Sequence, residues 1–454
     1  MNKNTPHHRQ TALPRIFCAG FGGYRSAEQD FIRPERFDDL KAALQSETPT
    51  IAPRGLGRSY GDAALNENGA LLLMERLDRC LAFDPETRVL RVEAGVRVLD
   101  IMRMFVPMGL TLAVVPGFSD ITVAGCAAFD IHSKNHWRSG GFGDWVISMR
   151  IMLASGEIVD CTRTSSAELF YATLGGLGLT GIIVELEIQL AILPGTLVRN
   201  KSEAFEGLEG LFGRFEESIQ RANYSVVWLD MLNGRNLTGI VISSSISDNA
   251  SVDDEMLWRK RKKKPLGLIA PFFNTLSNRA FNLMFAAKHK ALPQVDVDLH
   301  SFLFPWDALP NWNRLYGKRG FVEYQCCLPL DYARAGLKEI ISAVQAQKST
   351  FPAFFAAVKR MRTGIGMLSF PIEGYSLLLD FPVREGLFRF LDKIDDIVIA
   401  HGGRVYLAKD GRLSASSFAR MYPGREDWMK IREAVDPESR FASNMGRRLD
   451  LGCR

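Results

Sequence analysis

The chain has 454 residues, 46% hydrophobic and 24% charged, the balance of a globular protein with about two or three domains and not of a disordered, collagenous or coiled-coil chain. Lys and Arg total 56 and Asp and Glu 51, a net charge of +5, which is too mild to imply nucleic-acid binding. The seven cysteines form no CxxC pair, which argues against a disulfide framework or zinc site and for a reducing compartment.

The first fifteen or so residues are polar, with His7 and His8 adjacent, and show neither the apolar core nor the twin arginine of an export signal. No stretch of about 20 apolar residues follows anywhere, so a cytoplasmic location is expected. Residues 1–30 read as an arm ending in a Gly-rich turn. Pro34 opens a predicted helix to about Gln45, with Phe37, Leu40, Ala43 and Leu44 on one face. A strand over 50–53 leads into a loop rich in Gly and Arg. Strand 89–93, helix 98–105 and strand 112–115 come next. Residues 145–154, the turn Ser155-Gly156 and residues 157–161 predict a hairpin. Helix 167–173, a glycine cluster and a long strand over 181–190 complete an α+β region. A boundary falls at ILPG (192–195). Beyond it, helices over 208–221, 333–346 and 386–401 alternate with strands over 225–229, 322–328 and 376–380, which predicts an antiparallel sheet covered on one side. The tail carries a strand over 404–408 and a charged helical end.

Four segments carry candidate chemistry. The first is Arg54-Gly55-Leu56-Gly57-Arg58-Ser59-Tyr60-Gly61-Asp62, directly after a strand. Its glycines let backbone N–H groups converge on an anion, and two arginines add charge, which fits a pyrophosphate as well as a surface turn. It is not GxGxxG, so a Rossmann site is disfavoured. The second runs from Val115 through Gly117, Thr122, Val123, Ala124 and Gly125 to Ala128, with small residues that admit a flat ring or a tight core crossing. The third contains Phe129, Asp130, Ile131, His132, Lys134 and His136 before a glycine cluster. Two histidines four apart suit a metal on a helix face, but the glycines argue for a loop and no third ligand is evident. The fourth, 174–183, is Gly-rich and apolar, ends at Ile183, and suits backbone contact with a ring.

Taken together, these segments resemble the flavoprotein oxidases of the vanillyl-alcohol-oxidase (PCMH-type) fold. The resemblance covers RGLGRSYGD (54–62), TVAGCAAFDIHSKNH (122–136), GLTGII (178–183), WNRLYG (312–317), EYQ (323–325), DFP (380–382), GGRVYLAKDGR (402–412) and FASNMGRRLDL (441–451). Within the fold, the likeness is to polyprenylphosphoryl-ribose 2-oxidases.

The resemblance implies an α+β, two-domain architecture: an FAD-binding domain (1–195), a substrate domain on an antiparallel sheet covered by helices (196–403), and a C-terminal segment (404–454) returning to the first. It implies FAD held by residues 54–62, Gly117, Thr122–Gly125, Phe129–His132, Ile183 and Tyr406. Relatives that tether FAD covalently use a histidine where this chain has Arg58, so non-covalent FAD is expected. Lys409, Tyr60, His132 and Gln325 are the implied catalytic residues, with Lys409 a base or a cation. Lys134 and Lys359 are the implied phosphate ligands. Leu378 stands where some members carry a cysteine, and Glu323 where glutamine is common, which leaves the exact sugar open. The implied activity is oxidation of the 2-hydroxyl of a polyprenylphosphoryl ribose, the first half of an epimerisation to arabinose for cell-envelope glycan. A separate NAD-dependent short-chain reductase completes it. A soluble aldonolactone or alditol oxidase using oxygen is the alternative.

Six cations occupy residues 259–264, more than the whole net excess. After them, Phe273, Leu276, Ala280, Leu283, Met284 and Ala287 share one helical face, and Asn274, Asn278 and Asn282 the other. Residues 259–290 read equally as a peripheral contact with an inner-membrane surface or as a solvated charge run before an ordinary core helix.

Overall fold

In a computed structural model of the chain, the described residues are 13–233, 236–248, 257, 273–309 and 311–453. The N-terminal region is built on two sheets. The first holds β1 (Arg15–Ala19), β2 (Ser26–Ile32), β3 (Ile51–Arg54) and β4 (Ala70–Leu73) in the order β1-β2-β4-β3. β4 is parallel to both its neighbours, and its sequence ALLL is buried on both faces, as a central parallel strand requires.

β5 (Cys80–Asp84), β6 (Val89–Glu93) and the two-residue β7 (Leu110–Thr111) precede β8 (Val146–Met152), β9 (Ile158–Thr162), β10 (Ile182–Gln189) and the two-residue β11 (Ala191–Ile192). The second sheet runs β5-β6-β10-β8-β9, with the predicted hairpin at β8–β9 and the long strand β10 at its centre. Val98, Ile101, Met102 and Phe105 of the helix Val98–Phe105 are buried in this region's core. The strand expected over 112–115 does not form. Leu112, Val114 and Val115 are buried there, but β7 ends before them and Pro116-Gly117 follows. A short apolar run looks the same to periodicity whether a ladder or plain packing buries it.

The third sheet contains eight strands among the described residues: β12 (Leu197–Glu206), β13 (Tyr224–Asp230), β14 (Thr238–Ile246), β15 (Gln294–Asp298), β16 (Phe321–Pro329), β17 (Phe355–Met361), β18 (Gly374–Pro382) and β19 (Arg404–Val405). Their order is β15-β12-β14-β13-β17-β18-β16-β19, antiparallel throughout. Side chains alternate between the faces of a strand. On one face Val322, Tyr324, Cys326, Leu328, Leu377, Leu379 and Phe381 form a core with the helices Gly207–Arg221, Leu330–Ala346 and Leu387–Ala400. Glu323, Gln325, Ser376, Leu378, Asp380 and Lys359 occupy the alternate positions and share the opposite face. The strand expected over 404–408 is only two residues long. The chain turns after Val405, and Lys409 N donates to Tyr406 O at 3.1 Å.

The tail then returns to the N-terminal region. Trp428 Nε1 donates to Ala172 O at 2.8 Å, Ile51 N donates to Arg440 O at 2.8 Å, and Arg448 grips Asp62.

The amphipathic helix expected from the pattern of Phe273 to Ala287 is observed as Thr275–Ala291, with Asn274 Oδ1 capping its first turn. Its faces are reversed from those of an ordinary core helix. Asn278 and Asn282 are buried, while Leu276, Leu283 and Met284 are 76%, 61% and 69% exposed. The cause lies in the sheet beneath. Asn282 Nδ2 donates to Asp230 at 2.8 Å, His289 Nδ1 meets Ser202 Oγ at 2.7 Å, and Phe285 packs on Trp228 with ring centroids 4.8 Å apart. The cationic run 259–264 lies outside the described residues. Among those described, no helix is long and apolar enough to cross a membrane.

Candidate active site

The loop after β3 is shaped from within. Arg54 Nη1 donates to Ala64 O at 2.6 Å, and its guanidinium lies where a side chain on Gly57 would stand. Gly57 has φ of +63°, which suits glycine. Arg58 is clamped to Asp120, with Nε on the carbonyl at 2.9 Å and Nη2 on the carboxylate at 2.7 Å. Both arginines are thus held by acceptors within the protein. Asp62 closes the loop by accepting two bonds from Arg448, at 2.8 and 2.7 Å. Gly55 lies against the second motif, where a Cβ would come 2.3 Å from Thr122 Oγ1.

Thr122 caps the helix Val123–Ala128, with Gly125 N donating to its hydroxyl at 3.3 Å. Ala124, Gly125 and Phe129 are half-buried, whereas Val123, Ile131 and Ile183 lie within the core. Gly117 faces the Trp306 ring, close enough that a Cβ would come within 2.9 Å. The side chain of Asp130 turns away from these residues. It accepts from Gly143 N at 2.8 Å and Ser369 Oγ at 2.5 Å, pinning the third motif to the segment before β18. The fourth motif ties back to the second, with Gly175 N on Ala127 O at 3.0 Å and Leu177 N on Ala128 O at 2.9 Å.

His132, Gln325, Lys359, Lys409, Tyr60 and Tyr406 come together on the polar face of the third sheet. Gln325 Nε2 donates to His132 Nε2 at 2.9 Å and approaches Ser376 Oγ at 2.8 Å. That donation makes His132 Nε2 the acceptor and leaves Nδ1 as its N–H. Among the described residues neither His132 Nδ1 nor Gln325 Oε1, both buried, has a hydrogen-bond partner. Tyr406 stacks on Phe370 at 4.6 Å and lies 5.2 Å from the His132 ring. Burial, then Lys359, His136 and Lys409, hold His132 well below the usual imidazole range, so it is neutral.

Lys409 hydrogen-bonds Glu323 and lies 3.8 Å over the Tyr60 ring. Glu323 pairs across β16–β18 with Asp380, so two buried carboxyls oppose each other. Burial and the neighbouring Glu323 push Asp380 well above the usual carboxylate range. Lys409 is the cation that faces this pair and partly offsets that rise. Burial and the Glu323 charge also raise the Tyr60 phenol, so it stays protonated. Burial and Lys409 lower Lys359 to about 8. Burial and Lys359 lower Lys134 to about 7. Lys134 rests on the Phe302 carbonyl, with its ammonium 4.3 Å over the Phe302 ring. Leu378 lies opposite Gln325 on one side and Ala357 on the other, in one row across the sheet.

Sequence reasoning did not single out Ser376 or Asp380. The signal was present: Ser376, Leu378 and Asp380 alternate along β18 with Leu377, Leu379 and Phe381, so the polar residues fall on one face. His132 and His136 have ring centroids 6.2 Å apart. His136 Nδ1 accepts from Arg362 N at 3.0 Å, and burial with Lys359 and Arg362 nearby lowers it to about 3. Among the described residues no group of three or more His, Cys, Asp or Glu could hold a metal ion.

Two family profiles match the chain: an FAD binding domain over residues 30–162 and D-arabinono-1,4-lactone oxidase over residues 321–449. The decaprenylphosphoryl-β-D-ribose oxidase of Mycolicibacterium smegmatis is 36% identical over 428 residues, covering 90% of this chain and 91% of that protein. The L-gulonolactone oxidase of Scyliorhinus torazame is 22% identical, covering 93% of this chain and 95% of its own length. The human Δ(24)-sterol reductase is 31% identical over 33% of this chain.

Proposed function

Because the chain belongs to the family of the decaprenylphosphoryl-β-D-ribose oxidase, an FAD-binding family, we propose that it oxidises the 2-hydroxyl of a polyprenylphosphoryl ribose to the 2-keto sugar. The reaction class is that of an FAD-dependent oxidoreductase acting on a CH–OH group. The observation that supports the finer reading best is the buried cluster of Lys409, Glu323 and Tyr60 beside the His132–Gln325 pair.

The residues fit FAD. Gly55 lets the first loop close on Thr122, and the small, half-buried Ala124 and Gly125 admit a close approach to the backbone beside it. His132 Nδ1 and Gln325 Oε1 offer a buried donor and acceptor that no described residue satisfies. With both arginines of the first loop held internally, the pyrophosphate falls to backbone N–H groups of 54–62. FAD, when bound, supplies the hydride acceptor. Arg58 cannot form the link a histidine makes, so the cofactor is released intact by acid precipitation; flavin retained in the pellet would contradict this.

Of the two roles open to Lys409, the geometry supports the cation. Its ammonium is paired with Glu323 and placed to stabilise an alkoxide as the sugar hydroxyl loses its proton. Glu323, in the same hydrogen-bonded pair, offers a carboxylate acceptor for that proton. Lys359 and Lys134 are the ligands for the phosphoryl group, as point charges that regain their protons beside an anion. Leu378 lines the sugar pocket from the row between Gln325 and Ala357.

The same reading divides the chain into an FAD domain (1–195), a substrate domain (196–403) and a returning tail (404–454). It makes an NAD-dependent short-chain reductase the partner that consumes the ketone, giving the arabinose form for cell-envelope glycan. It also places the protein on the cytoplasmic side, with a peripheral membrane contact within 259–290. The match to D-arabinono-1,4-lactone oxidase over 321–449 favours a second reading, an aldonolactone oxidase. Turnover of D-arabinono-1,4-lactone under oxygen separates the two: its absence supports the first, and rapid peroxide formation would support the second.

A further inference from the structure

The helix Thr275–Ala291 has 17 residues and no acidic side chain among them. At 100° per residue, Leu276, Ala280, Leu283, Met284 and Ala287 form one stripe. That stripe faces solvent, with Leu276, Leu283 and Met284 each more than 60% exposed. Lys288 and Lys290 fall on its opposite margins, and both are exposed. Leu292, just past the helix, extends the apolar surface at 53% exposure.

This exposure is fixed by what lies underneath. The Asn274 cap sets the start of the helix, and the bonds from Asn282 to Asp230 and between His289 and Ser202 hold its polar face to the sheet. Rolling the helix to hide the leucines would leave Asp230 and Asn282 without each other in a buried place. Large contiguous apolar patches on a folded surface mark contact sites.

The flanking charge decides among occupants. A symmetric second copy would set Lys288 and Lys290 against a helix that carries no carboxylate to pair with them. A sheet of lipid phosphates accepts the apolar stripe and both lysines at once, with the ammonium groups reaching up to the headgroups. We propose that the outward face of this helix is a membrane-docking surface that lies in the plane of an anionic bilayer. The surface deepens the peripheral contact of the proposed function; it stands on the exposed stripe and its lysine margins, so flotation tests it whichever substrate the active site takes. Residues 259–264 add positive charge to the same chain, and the surface does not depend on them.

The test is flotation of the full-length flavoprotein with vesicles of phosphatidylcholine alone or mixed with phosphatidylglycerol. The wild type should float with the mixed vesicles, less so at high salt, and remain behind with phosphatidylcholine. Leu283→Glu with Met284→Glu should lower flotation about tenfold or more. Lys288→Glu with Lys290→Glu should lower it on anionic vesicles. Flavin absorbance unchanged from wild type shows that each variant is folded, and the lysine pair decides should the other fail this control. Equal flotation of wild type and both variants would overturn the proposal. So would a dimer in sedimentation that Leu283→Glu with Met284→Glu dissolves while no protein floats, since that assigns the face to a second copy.

Discussion

Lys409 sits in a turn four residues past the end of the edge strand β19, with its ammonium on Glu323 and over the Tyr60 ring. Lys409→Met keeps the methylene packing and removes the charge. The variant should retain FAD and lose about 10² or more in the rate of flavin reduction; a near-normal rate in stopped flow would show that the charge has no part in the reaction. Lys359 and Lys134 govern pH dependence. Both are lowered in the free protein, to about 8 and about 7, and a bound phosphoryl group raises them again. Substrate is therefore bound best below about pH 7, where both are already protonated. As pH rises through 7 to 8, binding must take up protons and KM should climb, by up to about tenfold per unit per lysine; a flat KM from pH 6 to about 9 would dismiss them as ligands. At this scale the sequence showed which residue types were at hand. It did not show that Arg54 reaches Ala64 O or that Arg58 closes on Asp120, because those acceptors are a backbone carbonyl and a residue 62 positions away.

β16 and β18 place the polar site and the apolar core on opposite faces by alternation alone, and that much was legible from EYQ, DFP and the residues between them. Two strands were read too generously. Residues 112–115 are buried without a ladder, and 404–408 stops at Val405, because local pattern reports burial and not the presence of a hydrogen-bonded neighbour. The helix Thr275–Ala291 shows the same limit. Its amphipathic pattern was visible, but which face turns inward was set by Asp230, Ser202 and Trp228 on distant strands. Among the core helices, Leu391 of Leu387–Ala400 is fully buried between the sheet and its neighbours. Leu391→Ala should cost about 2–5 kcal/mol by denaturant unfolding while leaving the residual FAD spectrum of the folded fraction unchanged; a cost below about 1 kcal/mol would mean that this face is not packed as described.

Across the whole molecule, the C-terminal tail reaches back to the first loop. Arg448 binds Asp62 with two hydrogen bonds and lies 2.9 Å from Asp410, the residue next to Lys409. One guanidinium thus couples the loop proposed for the pyrophosphate to the turn that carries the proposed catalytic lysine. Arg448→Ala takes the ion-pair partner from buried Asp62 and leaves Asp410 with its backbone donors Arg412 N and Leu413 N, which should cost about 3–5 kcal/mol and weaken FAD binding as well. Full flavin retention with wild-type stability would show that the tail does not shape the loop. The pairing of loop and tail was legible only through resemblance, since no local pattern links residues nearly 400 apart. The measurement that bears most directly on the function is anaerobic mixing of the flavoprotein with a polyprenylphosphoryl ribose, followed by flavin absorbance. Wild type should bleach rapidly and Lys409→Met little, with the 2-keto sugar as product. An unbleached flavin in wild type, beside bleaching by an aldonolactone, would contradict the proposed function.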